Sequence, residues 1–318
     1  MFQYITEVKK RKGMHALRRI RERDWLQAGV LLLVSALLIG CLLGFDHHEA
    51  ERADTAVTTG VAEKQRVSAD ELKVTFFDVE KSDAILIEQA GFRMLVDTSF
   101  DDRADVILDY FSEHGIDTLD YLIITHFDKD HVGGADKILD AVKVKRVLEP
   151  DYTVDKKQYR EYREAMTRNG IAPLSVTAVE HRKLGKASFT IYPPEQKQYS
   201  GNDNDMSLVI SLRYGSQSFL LTGDSEMERM AELLTEPELN LKHTVLKVPH
   251  HGIKEKNSAA FLERVHPETA VITCKNEWYV SRSVKKTLLC MDADLYLTCN
   301  GTVTCITDGN GMEISQEC

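Results

Sequence analysis

The chain has no Cys-x-x-Cys pair among its six cysteines, so no zinc knuckle is encoded. Cys41 lies in an apolar run, and Cys274, Cys290, Cys299, Cys305 and Cys318 leave an odd number outside it, a spacing that indicates no disulfide framework. No internal repeat recurs at a fixed period, which excludes a solenoid or propeller. Positive charge is scarce over most of the chain. The first 25 residues hold eight Lys or Arg, and beyond them 32 basic residues face 47 acidic ones, a balance of −15. Such a surface carries no general affinity for nucleic acid. Length is not lacking: 318 residues, 43% hydrophobic, are enough for one large domain with a substantial core.

Only one long apolar run is present, residues 25–45, which contain no charge. Roughly 20 helical residues cross the ~30 Å hydrocarbon layer, so this run predicts a transmembrane helix. Lys9, Lys10, Arg11, Lys12, Arg18, Arg19, Arg21 and Arg23 precede it and Asp46, Glu49 and Glu51 follow. The positive-inside bias then keeps residues 1–24 in the cytoplasm as a basic leader and puts the remainder outside: a single-pass protein of the cell membrane with an extracytoplasmic body. A cleaved signal peptide fits less well, because the run exceeds the usual ~7–15-residue apolar region and lacks a small-residue cleavage site. Leu38-Ile39-Gly40-Cys41 resembles a lipobox, but the apolar run continues past Cys41. Residues 46–71 are polar and without apolar period, which predicts a linker.

From residue 72 the chain alternates. Strands are predicted at 73–79, 84–88 and 93–97 with a turn at Ala90-Gly91, a helix at 102–114, a strand at 121–124, and a helix at 135–142. A strand at 146–148, a charged helix at 156–169 and a strand at 188–192 follow. Strands 207–214 and 218–222 form a hairpin, 244–248 and 270–273 are further strands, and 295–299 with 302–307 form a second hairpin at Asn300-Gly301. That pairing sets Cys299 against Thr302 and Cys305 against Tyr296. Strands and helices mixed in this way, with reactive groups at strand ends, fit an α/β sandwich.

The decisive stretch follows the strand at 121–124. His126, Asp128, Asp130 and His131 fall within six positions, and Gly133-Gly134 let the backbone turn tightly after them. A helix cap needs one Asp or Ser, whereas two imidazoles and two carboxylates at alternating spacing suit a pair of divalent ions. Further strands end at Gly223-Asp224 and at Pro249-His250-His251-Gly252.

His126-x-Asp128-x-Asp130-His131-x-Gly133-Gly134, then Gly223-Asp224 and Pro249-His250-His251-Gly252, resembles the metallo-β-lactamase superfamily, and more narrowly the hydrolase domain of ComEC-type competence proteins. Phe77-Asp78-Val79, Leu95-Val96-Asp97-Thr98 and Asn204-Asp205-Met206-Ser207 agree. The resemblance implies an αβ/βα four-layer sandwich over residues 72–318, behind the transmembrane helix. It implies two divalent metal ions, Zn or Mn with Mg as a further option. In that scheme His126 and Asp128 serve one ion, Asp130, His131 and His250 the other, and Asp224 bridges them. A bridging water would attack the substrate, Asp130 would orient it, and His251, Asn204 and Ser207 would contact substrate or hold ligands. Asp128 stands where many relatives have His, which raises the claim of Mn²⁺ or Mg²⁺.

The implied activity is that of a phosphodiesterase or nuclease. Hydrolysis of a lactone, amide or thioester is the alternative within the fold, and a weakened regulatory module is the alternative outside catalysis. The last is raised by a departure: relatives carry Tyr-Gly-His-Pro-Ser where this chain reads Tyr279-Val280-Ser281-Arg282-Ser283. Lys247, Lys254 and Lys256 flank His250-His251 and predict a basic rim. Lys156, Lys157, Arg160 and Arg163 read as a solvated helix face that offers local phosphate contacts. Asp97 is expected either to brace the ligand loop or to cap the helix near Asp102, and His243 to be a surface or strand-end residue.

Overall fold

The computed structural model describes residues 68–200 and 203–317. The basic leader 1–24, the apolar run 25–45 and nearly all of the expected linker 46–71 lie outside them. Among the described residues no helix is long and apolar enough to cross a membrane.

In chain order the elements are β1 (Leu72–Phe76), β2 (Ile85–Gln89), β3 (Phe92–Val96), α1 (Ala104–His114), β4 (Thr118–Leu119), β5 (Tyr121–Ile123), α2 (Lys129–Val132), α3 (Ala135–Ala141), β6 (Lys143–Val144), β7 (Val147–Pro150), α4 (Lys157–Arg168), β8 (Leu174–Val176), β9 (Glu180–Leu184) and β10 (Ala187–Tyr192). After them come β11 (Val209–Tyr214), β12 (Gln217–Leu221), α5 (Met227–Thr235), β13 (Val245–Lys247), α6 (Ser258–Val265), β14 (Thr269–Ile272), α7 (Arg282–Leu289), β15 (Asp294–Leu297), β16 (Thr302–Thr307) and β17 (Met312–Glu317). Of the two large sheets one runs β17-β16-β1-β2-β3-β5-β7-β8 and the other β15-β14-β13-β12-β11-β10-β9, while β4 and β6 form a separate parallel pair. Each large sheet is antiparallel on one side and parallel on the other, the change falling at β3 and β12.

The strand β5 shows why its residues are apolar throughout. Successive side chains alternate between faces, and both faces are covered. Tyr121 and Ile123 enter the core between the two sheets, while Leu122 and Ile124 enter an outer core shared with α1, α3 and α4. A third core packs α5, α6 and α7 against the outer face of the second sheet. Helices, sheet, sheet and helices are therefore stacked in the αβ/βα order. In α4 the buried Tyr159, Tyr162, Ala165 and Met166 recur at helical spacing, and its charged residues take the opposite face.

The expected hairpin at Asn300-Gly301 is not formed. β15 pairs in parallel with β14, the chain makes a helical turn at Thr298–Asn300, and β16 joins the other sheet between β1 and β17. Gly301 has φ 120° and ψ 166°, far from the conformation of a two-residue hairpin turn, and its freedom serves the passage between sheets. The tight hairpin lies one step later, between β16 and β17. With the pairing corrected, Cys299 does not face Thr302; its Sγ lies 3.6 Å from that of Cys274, both thiols being free.

Candidate metal centre

The carboxyl ends of β3, β5, β12, β13 and β14 bring the candidate residues together. Asp97 follows β3 in left-handed backbone (φ 59°), a conformation that costs a non-glycine residue roughly 1–2 kcal/mol. It is held there by three bonds. One carboxylate oxygen accepts the Thr125 N–H at 2.7 Å, and the other accepts the Thr125 hydroxyl at 2.7 Å and lies 2.8 Å from His131 Nδ1. Asp97 therefore braces the ligand loop and caps no helix. Phe127, between His126 and Asp128, turns away from the site and packs on Tyr152 and Tyr159 at 4.7 and 4.6 Å between ring centres. Its backbone N–H donates to the Tyr152 hydroxyl.

Gly133 and Gly134 follow, but not for the tight turn expected of them. Gly133 has ordinary helical backbone (φ −58°). A Cβ on Gly133 would stand 2.2 Å from the Lys129 carbonyl and 2.7 Å from the Asp101 nitrogen, and one on Gly134 2.5 Å from the Thr98 carbonyl. The pair is needed for close approach to the segment after β3.

Asp130, His131, Asp224 and His251 are brought within mutual ligand distance, all buried. His131 Nε2 lies 3.4 Å from Asp224 Oδ1, and His251 Nε2 lies 3.1 Å from Asp224 Oδ2 and 3.6 Å from Asp130 Oδ2. Each ring is oriented from behind. His131 Nδ1 meets Asp97, and His251 Nδ1 lies 3.0 Å from the Thr273 carbonyl, whose hydroxyl donates to Asp83 at 2.6 Å. With Nδ1–H donated outward, Nε2 presents its lone pair inward. His126 Nε2, His131 Nε2 and His251 Nε2 are all buried without a hydrogen-bond partner. Unpartnered imidazole lone pairs beside two carboxylates, each ring anchored at its other nitrogen, are the donor chemistry of a divalent cation site.

The charges agree. Burial opposes a proton on His131 and His251, yet Asp224 and its neighbouring carboxylates hold both imidazoles above their ordinary range. Burial would raise Asp224, but His251, His131 and Lys247 hold it well below the carboxylate range. Burial would raise Asp130 too, yet the nearby imidazoles of His251 and His131 hold it down. His126 is pushed down to about 3 by burial and by the neighbouring His131, so it is a neutral donor at any working pH.

The remaining expected residues lie as follows. Asp128 is half-exposed at the mouth of the site, its carboxylate on the Lys156 ammonium. Ser207 is buried, accepts the Asp224 N–H at 3.1 Å and lies 3.4 Å from His126 Nδ1, which makes it a support for two donors. Asn204 donates to Glu226 at 2.8 Å and approaches His250 Nε2 at 3.5 Å. His250 is not brought to Asp130 and His131. Consecutive left-handed residues at His250 and His251 (φ 46° and 50°) send the two imidazoles apart, and His250 Nδ1 meets Glu226 and Glu255 at 3.2 and 3.3 Å.

Lys247 departs furthest from expectation. It belongs to no basic rim: it is completely buried beneath the site, 2.5 Å from Asp83, 3.3 Å from Asp224 and 2.8 Å from the Gly223 carbonyl. A charge inside the apolar run Val245-Leu246-Lys247-Val248 signals a buried partner, and that signal was available in the sequence. The basic face of α4 is likewise engaged, Lys157 with Glu161 at 3.1 Å, Arg163 with Glu149 at 2.9 Å and Arg160 with Asp155.

The αβ/βα fold with a buried His/Asp cluster at its strand ends defines a hydrolase site of the metallo-β-lactamase type. The metallo-beta-lactamase superfamily model matches residues 77–274, and the chain belongs to that superfamily. It is similar to ComE operon protein 3 of Bacillus subtilis, 30% identical over 66% of this chain and 29% of that protein. It is also similar to Recombination protein 2 of Haemophilus influenzae, 31% identical over 66% of this chain and 25% of that protein. The chain thus spans under a third of the length of these relatives. Among solved structures, the metallo-beta-lactamase fold protein YhfI of Bacillus subtilis superposes with a TM-score of 0.51 at 11% identity, covering 71% of this chain and 96% of that one, a likeness of fold alone.

Proposed function

We propose that this chain is a metal-dependent phosphodiesterase of the ComEC kind, anchored in the cell membrane by residues 25–45 with its hydrolase domain outside. The observation that carries the hydrolytic part is the buried group Asp130, His131, Asp224 and His251 with its unpartnered Nε2 atoms. In this reading those four side chains hold one divalent cation, His251 taking the role assigned from sequence to His250, and His126 and Asp128 supply donors for a second. Bound cations polarise the phosphoryl oxygen and acidify a water. The chain's residues prepare the site. Asp97 and the Thr273 carbonyl fix the imidazole tautomers, Ser207 holds Asp224 and His126, and Lys247 offsets the negative charge of Asp83 and Asp224 from below. Carboxylates among the donors favour Mn²⁺ or Mg²⁺ beside Zn²⁺.

Phosphodiesters, DNA among them, are supported as substrates by the names of the relatives, a ComE operon protein and a recombination protein. The test is release of nitrophenol from a bis-nitrophenyl phosphodiester, and of fragments from single-stranded DNA, by the Mn²⁺-loaded chain and by Asp130→Asn. A drop of at least about 10²-fold in the variant is expected; equal rates would remove the reading.

One observation favours a second reading, a metal-binding module with little turnover. Ser281 donates its N–H to the Gly252 carbonyl at 2.9 Å, directly beside His251, and its hydroxyl meets Ser283 at 2.9 Å. Where relatives present an imidazole, this chain presents a hydroxyl turned to its own helix. Loss of a general acid typically costs ~10²–10⁴-fold, so stoichiometric metal with a rate indistinguishable from Asp130→Asn would favour this second reading.

A further inference from the structure

Four carboxylates at the centre, Asp83, Asp224, Asp130 and Asp128, are met by lysines. Lys247 sits under Asp83 and Asp224, Lys81 Nζ is 3.1 Å from Asp130, and Lys156 Nζ contacts both Asp128 and, at 2.5 Å, Asp203. The first two leave the four-donor group intact. Lys247 is fixed in the core, and Asp130 remains within ligand distance of His131, Asp224 and His251. Lys156 differs. It comes from the residue preceding α4, half-exposed on a long side chain, and it reaches Asp128, the carboxylate that the proposed function pairs with His126. A cation at the amino end of a helix is disfavoured by the helix dipole, so its placement answers to the carboxylates and not to α4. Meanwhile His126 Nε2 stays buried without a partner.

We propose that the Lys156 ammonium is a built-in competitor for the second divalent cation: the first ion loads at Asp130, His131, Asp224 and His251, and the second enters at His126 and Asp128 only by displacing Lys156. The inference deepens the metal-centre reading and rests on it. An ammonium on a partly exposed carboxylate is a weak partner, but it also repels an incoming cation at contact range. Together these separate the two loading steps and make occupancy of the second position depend on free metal concentration. The protein passes between a one-ion and a two-ion state as metal becomes available.

The experiment uses the purified full-length chain in detergent, stripped of metal and titrated with Mn²⁺ by calorimetry, with bound ions counted by native mass spectrometry. The wild type should fill in two separated steps. Lys156→Gln should leave the first unchanged and tighten the second by about tenfold, while Lys156→Arg, which keeps the cation, should keep the separation. Asp128→Asn should lose the second step and retain the first. Circular dichroism of each variant establishes that it is folded. A second step unchanged or weakened in Lys156→Gln would overturn the competition while leaving the metal centre standing, as would a second step that survives in Asp128→Asn. Binding of no ion by any of the folded proteins would overturn both.

Discussion

Asp97 shows how far a single residue can act beyond its own contacts. Its carboxylate sets the tautomer of His131 and the position of Thr125 from a strained backbone, although burial raises its own pKa. Asp97→Asn keeps the shape and removes the charge, and metal affinity should fall about 10- to 100-fold in competition against a chromophoric chelator. Unchanged affinity would reduce Asp97 to a support of the fold. His243 makes a separate prediction, about acid. Burial depresses its pKa to about 4, with Nδ1 3.0 Å from the Leu241 carbonyl and Nε2 2.7 Å from the Ser211 hydroxyl. Between pH 6.5 and 4 the unfolded chain takes up a proton that the folded chain refuses, so stability is complete above 6.5 and declines as pH falls. The loss approaches about 3 kcal/mol at the lower end. Denaturation curves of His243→Gln should show a flatter dependence over that window; an identical slope would exclude this residue as the cause. At this scale the sequence was informative about chemistry and less so about direction. His126, Asp128, Asp130, His131 and Asp224 stand out by type and by position at strand ends. Which of His250 and His251 turns inward depends on two successive left-handed residues, and nothing in a Pro-His-His-Gly string encodes that choice in its spacing.

Among the elements, the loop carrying His126 to His131 is held at both ends, by Phe127 among the tyrosines and by the two glycines against the segment after β3. Phe127→Ala should cost about 3–5 kcal/mol, read from chemical denaturation, because the ring is wholly buried. Gly133→Ala places a methyl against three backbone atoms and should cost on the order of 3 kcal/mol; stability within experimental error of the wild type would show that α2 can shift freely. Most strands were legible to within a few residues, β5 from its β-branched apolar run, and α4 from its charged stretch, whereas α5, α6 and α7 were not read. The Asn300-Gly301 error has a physical origin. The dipeptide signals permissive backbone, and permissive backbone serves a crossing between sheets as well as a hairpin. Only the partner strands, β14 for one side and β1 for the other, distinguish the two uses, and they lie far away in the chain.

For the whole molecule, the acidic body and the basic leader define the proposed topology. Protease added to intact cells should remove the chain beyond the apolar run and spare residues 1–24; full protection of the hydrolase domain would contradict an outward-facing arrangement. The pairing of β1 with β16 has a consequence for how such a chain reaches its folded state. Residue 72 pairs with residue 307, so β1 receives its outer neighbour only when all the strands between it and β16 have been made. Until then one edge of β1 stays bare, and contacts of such long sequence separation form slowly because the loop they close is long. A nascent chain emerging strand by strand cannot finish this sheet as it goes. Closure of this sheet therefore waits for β16, and in the proposed outward-facing arrangement it takes place on the far side of the membrane. There, the closing hairpin of β16 and β17 locks the first strand into its sheet.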